Sequence, residues 1–464
     1  MYRHLNISGE DYELLKAHLF SGNNKEAVAL ALCGRNITDE SEGLAVHRII
    51  CIPNEEYSVQ EVNRVTWNTK YLSEVLEEVI QKGLSVVKIH CHPEGGEFFS
   101  QVDDYSDNKL FTSIYNLEEG GPHGSMIMLP DGRLFGRFFD ENLKTYPINR
   151  IRVVGDRLQV WDYALKKQTD FKEFEKRNLQ TFGEGTIQLL KNMKVAIIGC
   201  SGTGSPLIEQ LVRLGVGKLL LFDDDVIEEK NLNRIIHATV EDARKQRSKT
   251  DVIQERITEI GLGTEVKAFP VNILNDIKYL KEIANCDFIF GCVDSVEARN
   301  VLNNIATIYI VPYIDVGVKV IADKKGGVDK ISGAVHYLRP CFSLMNRKMY
   351  STARLEAESM KRTNPEMYKE RLKEGYVANV DVERPTVINL NTLTISFAIN
   401  EFMARVHGYR DNDRELEIIK VELVDTIFDY QTDDAKDIYL KKYKGRGDMI
   451  PFLNMPIFSK SCNI

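Results

Sequence analysis

One stretch, from Val195 to Arg234, constrains the fold of this chain more than any other: VAIIGCSGTGSPLIEQLVRLGVGKLLLFDDDVIEEKNLNR. It is typical of a buried strand, a glycine-rich turn, a helix and a second strand with an acidic end. Glycines in such a turn let the backbone pass close to a phosphate group and direct free N–H groups at it. Asp223 and Asp225 follow the second strand, where a ribose lies in folds of this type. The stretch therefore predicts a nucleotide site, with its loop at Gly199, Gly202 and Gly204.

The second half of the chain goes on alternating between strand and helix patterns as far as the apolar strand VPYIDVGVKV (311–320). This alternation predicts a doubly wound parallel sheet with helices on both faces. A glycine loop alone does not separate a dinucleotide site from an ATP site. ATP chemistry needs cations for the phosphates and a carboxylate for Mg²⁺, which hydride transfer does not. The chain supplies the cations Arg234 and Lys249 and the carboxylate Asp294, together with the amide of Asn231, and it lacks the Gly-Lys-Ser/Thr of a P-loop.

Length and composition set the outer limits. A chain of 464 residues is long enough for two or three domains. A hydrophobic content of 43% and a charged content of 28% are ordinary for a soluble globular protein, and a net charge of −8 gives no reason to expect nucleic-acid or membrane partners. The eight cysteines include no Cys-x-x-Cys pair, and no secretory signal or apolar run of membrane-spanning length is visible. We expect a reduced, cytoplasmic protein.

A second chemical motif lies in the first half, where a strand pattern runs into HCHPEGGEFFSQVD (90–103). In an extended segment, residues i and i+2 project to the same face, so His90 and His92 converge while Cys91 faces away. Asp103 can return as a third ligand after the loop. Two histidines and one carboxylate leave one zinc position open for water, which is the catalytic arrangement. Zinc lowers the pKa of that water to about 7.

Two more residues complete this motif, one upstream of it and one next to Asp103. Glu26, at the start of its strand, is the candidate general base, and Ser100 could stabilise an oxyanion. The combination resembles the JAB/MPN (JAMM) metalloproteases from Glu26 through Asp103 to about Phe139. The resemblance implies an α/β metalloprotease domain that cleaves isopeptide or peptide bonds after the C-terminus of a ubiquitin-like protein. Cys91 stands where the family usually has Ser or Thr.

The second half resembles the adenylating domains of the ThiF/MoeB and ubiquitin-activating enzymes, which have a Rossmann-like doubly wound fold. That family activates the C-terminal glycine of a ubiquitin-like or sulfur-carrier protein as an acyl adenylate and releases pyrophosphate. The resemblance implies that Asp223 binds ribose and that Asp294 holds Mg²⁺. It also implies that Arg177 enters the partner subunit's site, which predicts a homodimer. The matching stretches are the glycine loop, Gly215-Val216-Gly217, Asp223-x-Asp225, Asn231-Leu232-Asn233-Arg234, Ser248-Lys249 and Cys292-Val293-Asp294-Ser295, and within them Asn231, Arg234 and Lys249 are the expected phosphate contacts.

Three features depart from the family pattern. Ser201 occupies the position of the second loop glycine, and the segment between Arg234 and Lys249 is slightly longer than usual. The two Cys-x-x-Cys pairs of many relatives are absent, so we infer no zinc in this domain.

A thioester cysteine can only be Cys341 or the terminal Cys462, and Cys341 could equally be a core thiol. The charged, helix-prone segment 346–375 suits a crossover region over a carrier's tail or a solvated helix face.

The sequence thus predicts a metalloprotease domain at residues 1–156 and an adenylation domain at residues 157–464, with a crossover region at about 341–385 and a C-terminal extension at about 409–464. The leading hypothesis is a bifunctional enzyme of a prokaryotic ubiquitin-like pathway, with Zn²⁺, ATP and Mg²⁺ as cofactors and a conjugating enzyme as a further partner. A second hypothesis is sulfur-carrier processing and activation for cofactor or cysteine biosynthesis. A nucleotide-sensing scaffold and an NAD oxidoreductase are further alternatives.

Overall fold

A computed structural model of the chain describes residues 1–118, 120–165, 170–323, 325–377, 379–380, 385–410, 416–433 and 435–458. The chain forms two compact units. Unit 1 consists of Met1–Lys166 together with Thr307–Ile310 and Lys442–Ile464, and unit 2 consists of Lys167–Ala306 and Val311–Lys441. Within the described residues, no helix is both long enough and apolar enough to cross a membrane.

Unit 1 is built on a mixed nine-stranded sheet in the order β11-β10-β1-β3-β2-β6-β7-β8-β9, with a small separate ribbon of β4 and β5. Its strands are Tyr2–Ser8 (β1), Val28–Ile37 (β2), Ser41–Cys51 (β3), Tyr57–Gln60 (β4), Val65–Trp67 (β5), Ser85–Cys91 (β6), His123–Met128 (β7), Leu134–Phe139 (β8), Thr145–Pro147 (β9), Arg150–Val154 (β10) and Leu158–Asp162 (β11), and its helices are Gly9–Leu19 (α1), Lys70–Lys82 (α2) and Gln101–Tyr115 (α3).

The nine-stranded sheet is buried on both faces because its central strands carry apolar residues at nearly every position. On β2, Ala29 and Ala31 pack into one core with α1, whereas Val28 and Leu30 pack into a second core with α2 and α3. This is the alternation of side chains that a pleated strand imposes. The second core covers the face from which α3 approaches β6.

Unit 2 is built on an eight-stranded sheet in the order β14-β13-β12-β15-β16-β17-β18-β19. Its helices are Lys176–Asn192 (α4), Gly204–Leu214 (α5), Val240–Arg244 (α6), Lys249–Ile260 (α7), Ile277–Ala284 (α8), Val296–Ile308 (α9, whose last two residues belong to unit 1), Thr352–Thr363 (α10), Pro365–Lys373 (α11), Ile388–His407 (α12) and Ile438–Lys441 (α13), and its strands are Lys194–Ile198 (β12), Lys218–Phe222 (β13), Glu265–Phe269 (β14), Phe288–Gly291 (β15), Tyr313–Ala322 (β16), Val328–Leu338 (β17), Ile418–Glu422 (β18) and Ile427–Gln431 (β19).

The first five strands of this sheet, from β14 to β16, are all parallel. Their order is that of a doubly wound Rossmann-like sheet, and the chain reverses its direction of winding between β12 and β15. Ligands bind at the carboxyl ends of the strands at such a switch point. The predicted mixed α/β architecture is therefore confirmed for unit 2. The strand expected at 311–320 also starts an antiparallel extension formed by β16 to β19.

The division of the chain differs from the predicted boundary at residue 156 in two places. Strand β11 pairs with β10 and so continues the unit 1 sheet. The final segment from Lys442 onward belongs to unit 1, although we expected it as an extension of the second domain. Its backbone meets β2 directly, because the Gly34 amide donates to the Gly445 carbonyl at 2.9 Å and Arg35 forms a β-bridge with Gly447.

Candidate functional site

The glycine loop of unit 2 lies at the switch point, between the end of β12 and the start of α5. Gly199 has a φ of +91°, and a side chain there would meet the Cys292 carbonyl at 2.5 Å. A side chain at Gly204 would overlap the carbonyl of Gly199. The loop is thus closed tightly on itself and on the end of β15, as a turn must be that presents backbone N–H groups to a phosphate. Ser201, the departure from the family pattern, lies in the turn before α5, and its carbonyl accepts a hydrogen bond from the Ser205 amide.

A carboxylate from the neighbouring strand holds this loop. Asp223, directly after β13, accepts a hydrogen bond from the Cys200 amide at 2.7 Å. Burial raises the pKa of Asp223, and the nearby Lys249 opposes that shift. One carboxylate oxygen is therefore bound to the loop, at the strand end where a ribose is expected.

Lys249 lies in the first turn of α7 and points back to the same strand end. Its Nζ lies 2.7 Å from Asp225 Oδ2 and 3.4 Å from Asp223 Oδ1, and its side chain is buried. Burial acts to lower the pKa of Lys249, but the two carboxylates outweigh burial and raise it. The longer segment before Lys249 does not displace it, so the lysine that we singled out is a fixed cation beside the glycine loop.

The segment after β13 brings Arg234 against the loop at Gly202. A side chain added at Gly202 would lie 2.9 Å from Arg234 Cδ, so the arginine stem packs against the loop. The Arg234 guanidinium donates to the Lys230 carbonyl at 2.8 Å and to Asn233 Oδ1 at 3.0 Å. Asn231 is buried, and its Oδ1 accepts from the Glu228 amide at 3.1 Å, which folds the turn that carries the arginine.

Three further predicted residues lie around or beyond this site. Asp294 follows β15 and is exposed at the carboxyl end of the parallel sheet. Arg177 is exposed on α4, and its guanidinium donates to Gln180 Oε1 at 3.0 Å. Cys341 is buried, with a φ of +75°, so its thiol is not presented to a ligand in this conformation. Cys462 lies outside the described residues, as do parts of the predicted crossover region, of which the described part contains α10 and α11.

In unit 1, the motif residues converge at the end of β6. The Nε2 atoms of His90 and His92 lie 3.2 Å apart, and Asp103 Oδ1 lies 3.1 Å from His90 Nε2. Glu26 Oε1 lies 3.9 Å from His92 Nε2, as does the second oxygen of Asp103. Cys91 faces the opposite core, where its thiol donates to the Leu19 carbonyl at 3.1 Å. The spacing therefore places two imidazoles and two carboxylates around one point.

One imidazole tautomer is fixed by the backbone. His92 Nδ1 lies 2.6 Å from the carbonyl oxygen of Gly96, which can only accept. Nδ1 must therefore carry the proton, and Nε2 presents a lone pair to the cluster. Burial lowers the pKa of His90, although Asp103 opposes the shift. Glu26, His90 and His92 can together offer ligand atoms within 4.8 Å of one another. The two imidazoles together with the carboxylate of either Glu26 or Asp103, whose Oδ1 lies 3.1 Å from His90 Nε2, fit a divalent metal with nitrogen and oxygen ligands, such as zinc.

Ser100 also has a structural role, which is separate from the predicted stabilisation of an oxyanion. It is the N-cap of α3: its Oγ donates to Asp103 Oδ2 at 2.7 Å and accepts from the Asp103 amide at 3.1 Å. Burial acts to raise the pKa of Asp103, but hydrogen bonds from His90 and Ser100 overcome it and hold the pKa below its usual range. Ser-x-x-Asp is also the signature of a capping box, which could have revealed both this bond and α3.

The fourth group of the cluster, Glu26, has a strongly shifted pKa. Burial, followed by repulsion from Asp103, raises the pKa of Glu26 to about 8, and Lys88 acts in the opposite direction. A carboxylate with such a pKa can take up and release a proton near neutral pH, as a general base must.

Comparisons with known proteins find one family model and a set of relatives that match part of the chain. The ThiF family model matches residues 175–359, nearly all of which lie in unit 2. The chain is 34% identical over 125 residues to "Ubiquitin-like modifier-activating enzyme 5" of Dictyostelium discoideum, which covers 25% of this chain and 32% of that protein. It is 34% identical over 117 residues to "Sulfur carrier protein ThiS adenylyltransferase" of Escherichia coli, which covers 25% of this chain and 45% of that protein. It thus spans less than half of each of these relatives.

Solved structures match a larger part of the chain at lower identity. The crystal structure of E. coli MccB with ATP covers 58% of this chain and 74% of that protein, with 19% identity and a TM-score of 0.43.

Proposed function

We propose that unit 2 is an ATP-dependent adenylyltransferase that activates the C-terminal glycine of a ubiquitin-like or sulfur-carrier protein. The observation that carries this proposal is the ring of charge around the glycine loop within a ThiF-type domain. Asp223 accepts a hydrogen bond from the loop, and the buried Lys249 lies beside Asp223. Arg234 packs against the loop at Gly202. An activated carboxylate made from ATP needs such an arrangement of cations and backbone donors.

The site residues have separate roles in one reaction, the displacement of pyrophosphate from the α-phosphorus of ATP. The loop amides, Arg234 and Lys249 hold the phosphates, and Asp223 holds the ribose. The carrier's carboxylate oxygen forms a bond to the α-phosphorus while the bond from that phosphorus to the bridging oxygen breaks, and pyrophosphate leaves with the electron pair. Asp294, a hard oxygen ligand at the exposed strand end, suits Mg²⁺. When bound, Mg²⁺ supplies positive charge to the phosphates.

ATP–pyrophosphate exchange tests this proposal. Exchange should require a small protein that ends in glycine, and it should be lost in Asp294→Ala. Glu259→Ala, which removes an exposed carboxylate from the end of α7, is the matched control and should retain exchange. Exchange that proceeds equally well without the carrier would contradict the proposal.

The relatives leave two pathways open, because one is named for a ubiquitin-like modifier and the other for a sulfur carrier. Protein conjugates of the carrier would favour the first pathway, and a carrier thiocarboxylate without conjugates would favour the second. Intact-mass analysis with ATP separates a noncovalent adenylate from a thioester. Because Cys341 is buried, we expect no thioester on Cys341.

We propose further that unit 1 is a zinc-dependent peptidase of the JAB/MPN type, which trims the carrier or releases it from conjugates. Support comes from the convergence of His90, His92 and Asp103, with Nε2 of His92 fixed as a lone-pair donor. These three residues would hold zinc, which supplies a water of lowered pKa when bound. Glu26 takes the proton of the attacking water and passes it to the leaving amine. Ser100 holds Asp103 in its orientation.

Metal content and cleavage are measured separately to test this second proposal. The wild-type protein should carry one zinc per chain and cleave a carrier that is extended past its final glycine. His92→Ala should lose both properties, whereas Glu26→Gln should retain zinc and lose cleavage. Asp104→Asn, the neighbouring carboxylate on α3, is the control and should retain both. A metal-free protein that still cleaves would overturn the assignment.

A further inference from the structure

Asn391, in the first turn of α12, carries an amide group that the fold leaves without partners. Its side chain is completely buried, and neither Nδ2 nor Oδ1 has a hydrogen-bond partner among the residues that the structure describes. Buried polar side chains are paired in the large majority of cases, since an unpaired amide forfeits its hydrogen bonds to water. Its buried neighbours on the same helix, Leu390 and Ile395, are apolar. Packing alone therefore does not account for an amide at this position.

The unpaired amide faces the glycine loop. A side chain added at Gly202 would meet Asn391 Nδ2 at 2.6 Å and Arg234 Cδ at 2.9 Å, so these three residues meet at the apex of the loop. Two hydrogen bonds connect α12 and the residues just before it to the elements around the loop. Asn233 Nδ2 donates to the Thr386 carbonyl at 3.3 Å, and Gln210 Nε2 donates to Ser396 Oγ at 3.4 Å.

The start of α12 also brings its first backbone N–H groups to this place. Val387, the N-cap residue, makes no side-chain hydrogen bond to the helix, and the first turn contains no acidic residue. The first N–H groups of a helix have no intrahelical acceptor and favour an anion. A helix start and a buried amide with no partner thus lie together beside the loop that we assign to the phosphates.

We propose that Asn391 is a nucleotide-binding residue, which donates its amide N–H to a phosphate oxygen of ATP when the glycine loop takes up the triphosphate. This inference rests on the nucleotide site proposed for unit 2 and extends it to a helix beyond residues 175–359, the part matched by the ThiF family. In the free protein, Asn391 Nδ2 lies against Gly202. A phosphate oxygen of ATP would be its hydrogen-bond acceptor.

Opposite effects on stability and on binding distinguish this role from a structural one. Asn391→Leu removes both unpaired atoms at similar volume, so it should melt at the same temperature as the wild type or higher without ATP. It should bind ATP about tenfold more weakly, because a hydrogen bond to a charged phosphate is lost. Asn391→Asp should bind more weakly still at low salt, since its carboxylate repels the phosphates. Asn400→Leu makes the same change on an exposed position of α12 and should bind ATP normally.

The measurement is the affinity for ATP by calorimetry, with melting curves recorded with and without ATP. If the wild type binds ATP and both Asn391 variants bind it equally well, the inference is wrong and the nucleotide site stands. A large loss of stability in Asn391→Leu would also overturn the inference, because it would show that the side chain supports the fold. If the wild type binds no ATP, the proposed function of unit 2 fails, and this inference fails with it.

Discussion

Lys88 and Asp107 form a buried ion pair directly behind the histidine cluster. On β6, Lys88 shares a face with His90, and on α3, Asp107 lies one turn beyond Asp103. The two pairs, His90 with Asp103 and Lys88 with Asp107, therefore join the same strand to the same helix. Asp107 also accepts from Arg137 Nη2 at 2.9 Å. We infer that this pair holds α3 in register, so that Asp103 faces the imidazoles.

Lys88→Met should weaken zinc binding without touching a ligand. It leaves Asp107 with one cation fewer in a buried position, and loss of an outer partner of a metal site costs about 10-fold to 100-fold in affinity. Competition with a chromophoric zinc chelator measures the change. Lys109→Met is the control, because Lys109 is exposed on the same helix. Equal zinc affinity in the two variants would show that the pair does not position Asp103.

At the residue scale, the sequence predicted what depends on local geometry. The i, i+2 rule placed His90 and His92 on one face, and the acidic strand end placed Asp223 beside the loop. Asn391 could not be predicted, because an asparagine in an apolar helix pattern carries no signal of its own. Only the spatial contact with Gly202, which is distant in sequence, gives it meaning.

At the scale of elements, strands and helices with strong periodicity were predictable and their long-range pairing was not. An amphipathic pattern that meets a glycine predicts the end of a helix, and α2 ends at Gly83, which lies in the left-handed region. The turn residues Pro130-Asp131-Gly132 are typical of a hairpin, and β7 and β8 form one. However, β1 pairs in parallel with both β3 and β10, and no local pattern encodes which distant strand becomes a neighbour.

His123, the first residue of β7, makes this part of the sheet sensitive to acid. It is completely buried, and its Nδ1 accepts the Val86 amide at 3.0 Å, so the ring must be neutral there. Burial, followed by the charge of Arg35, lowers the pKa of His123 to about 3. The unfolded chain binds a proton at an ordinary pKa of about 6.5. Its contribution is therefore intact above pH 6.5 and is lost as the pH falls towards 3.

We expect the stability of unit 1 to fall by about 1.4 kcal/mol per pH unit on this account below pH 6.5. Both tryptophans, Trp67 and Trp161, belong to unit 1, so urea unfolding followed by tryptophan fluorescence reports that unit. His123→Asn can retain an acceptor for Val86 but cannot titrate. Its unfolding free energy should be lower at pH 7 and should depend less on pH. Identical pH slopes in the two proteins would contradict the prediction.

At the scale of the whole molecule, Arg177 raises the question of whether one chain or two chains form a complete nucleotide site. It is exposed on α4, which leaves the guanidinium accessible to another chain. We propose that it completes the nucleotide site of a partner subunit in a homodimer. Arg177→Ala and Asp294→Ala should each lose exchange. A mixture of the two inactive proteins should regain about a quarter of the wild-type activity, since half of the randomly formed dimers contain one intact site of two. No recovery after mixing by unfolding and refolding would count against shared sites.

The return of the chain to unit 1 after residue 441 could not be predicted, because this segment has no strand or helix periodicity and part of its contact is made by its backbone. The Asp448 amide donates to the Arg35 carbonyl at 2.6 Å, and the Gly447 amide donates to the Ile308 carbonyl at 3.0 Å. The side chains of Phe452 and Leu453 are buried. Unit 1 is therefore built from segments separated by nearly the full length of the chain.

We expect deletion of residues 442–464 to destabilise unit 1 while ATP binding by unit 2 is retained. Each of the two buried side chains alone contributes about 1.5–3 kcal/mol, so the tryptophan-monitored urea midpoint should fall markedly.

A point variant isolates the backbone contact. Gly447 has a φ of +58°, and a methyl group there would overlap the backbone of Arg35, whereas Gly83 has a φ of +60° and open space around it. Gly447→Ala and Gly83→Ala carry the same backbone strain, so the larger loss of stability in Gly447→Ala measures the packing of the returning segment. Equal losses would show that this segment lies on unit 1 without stabilising it.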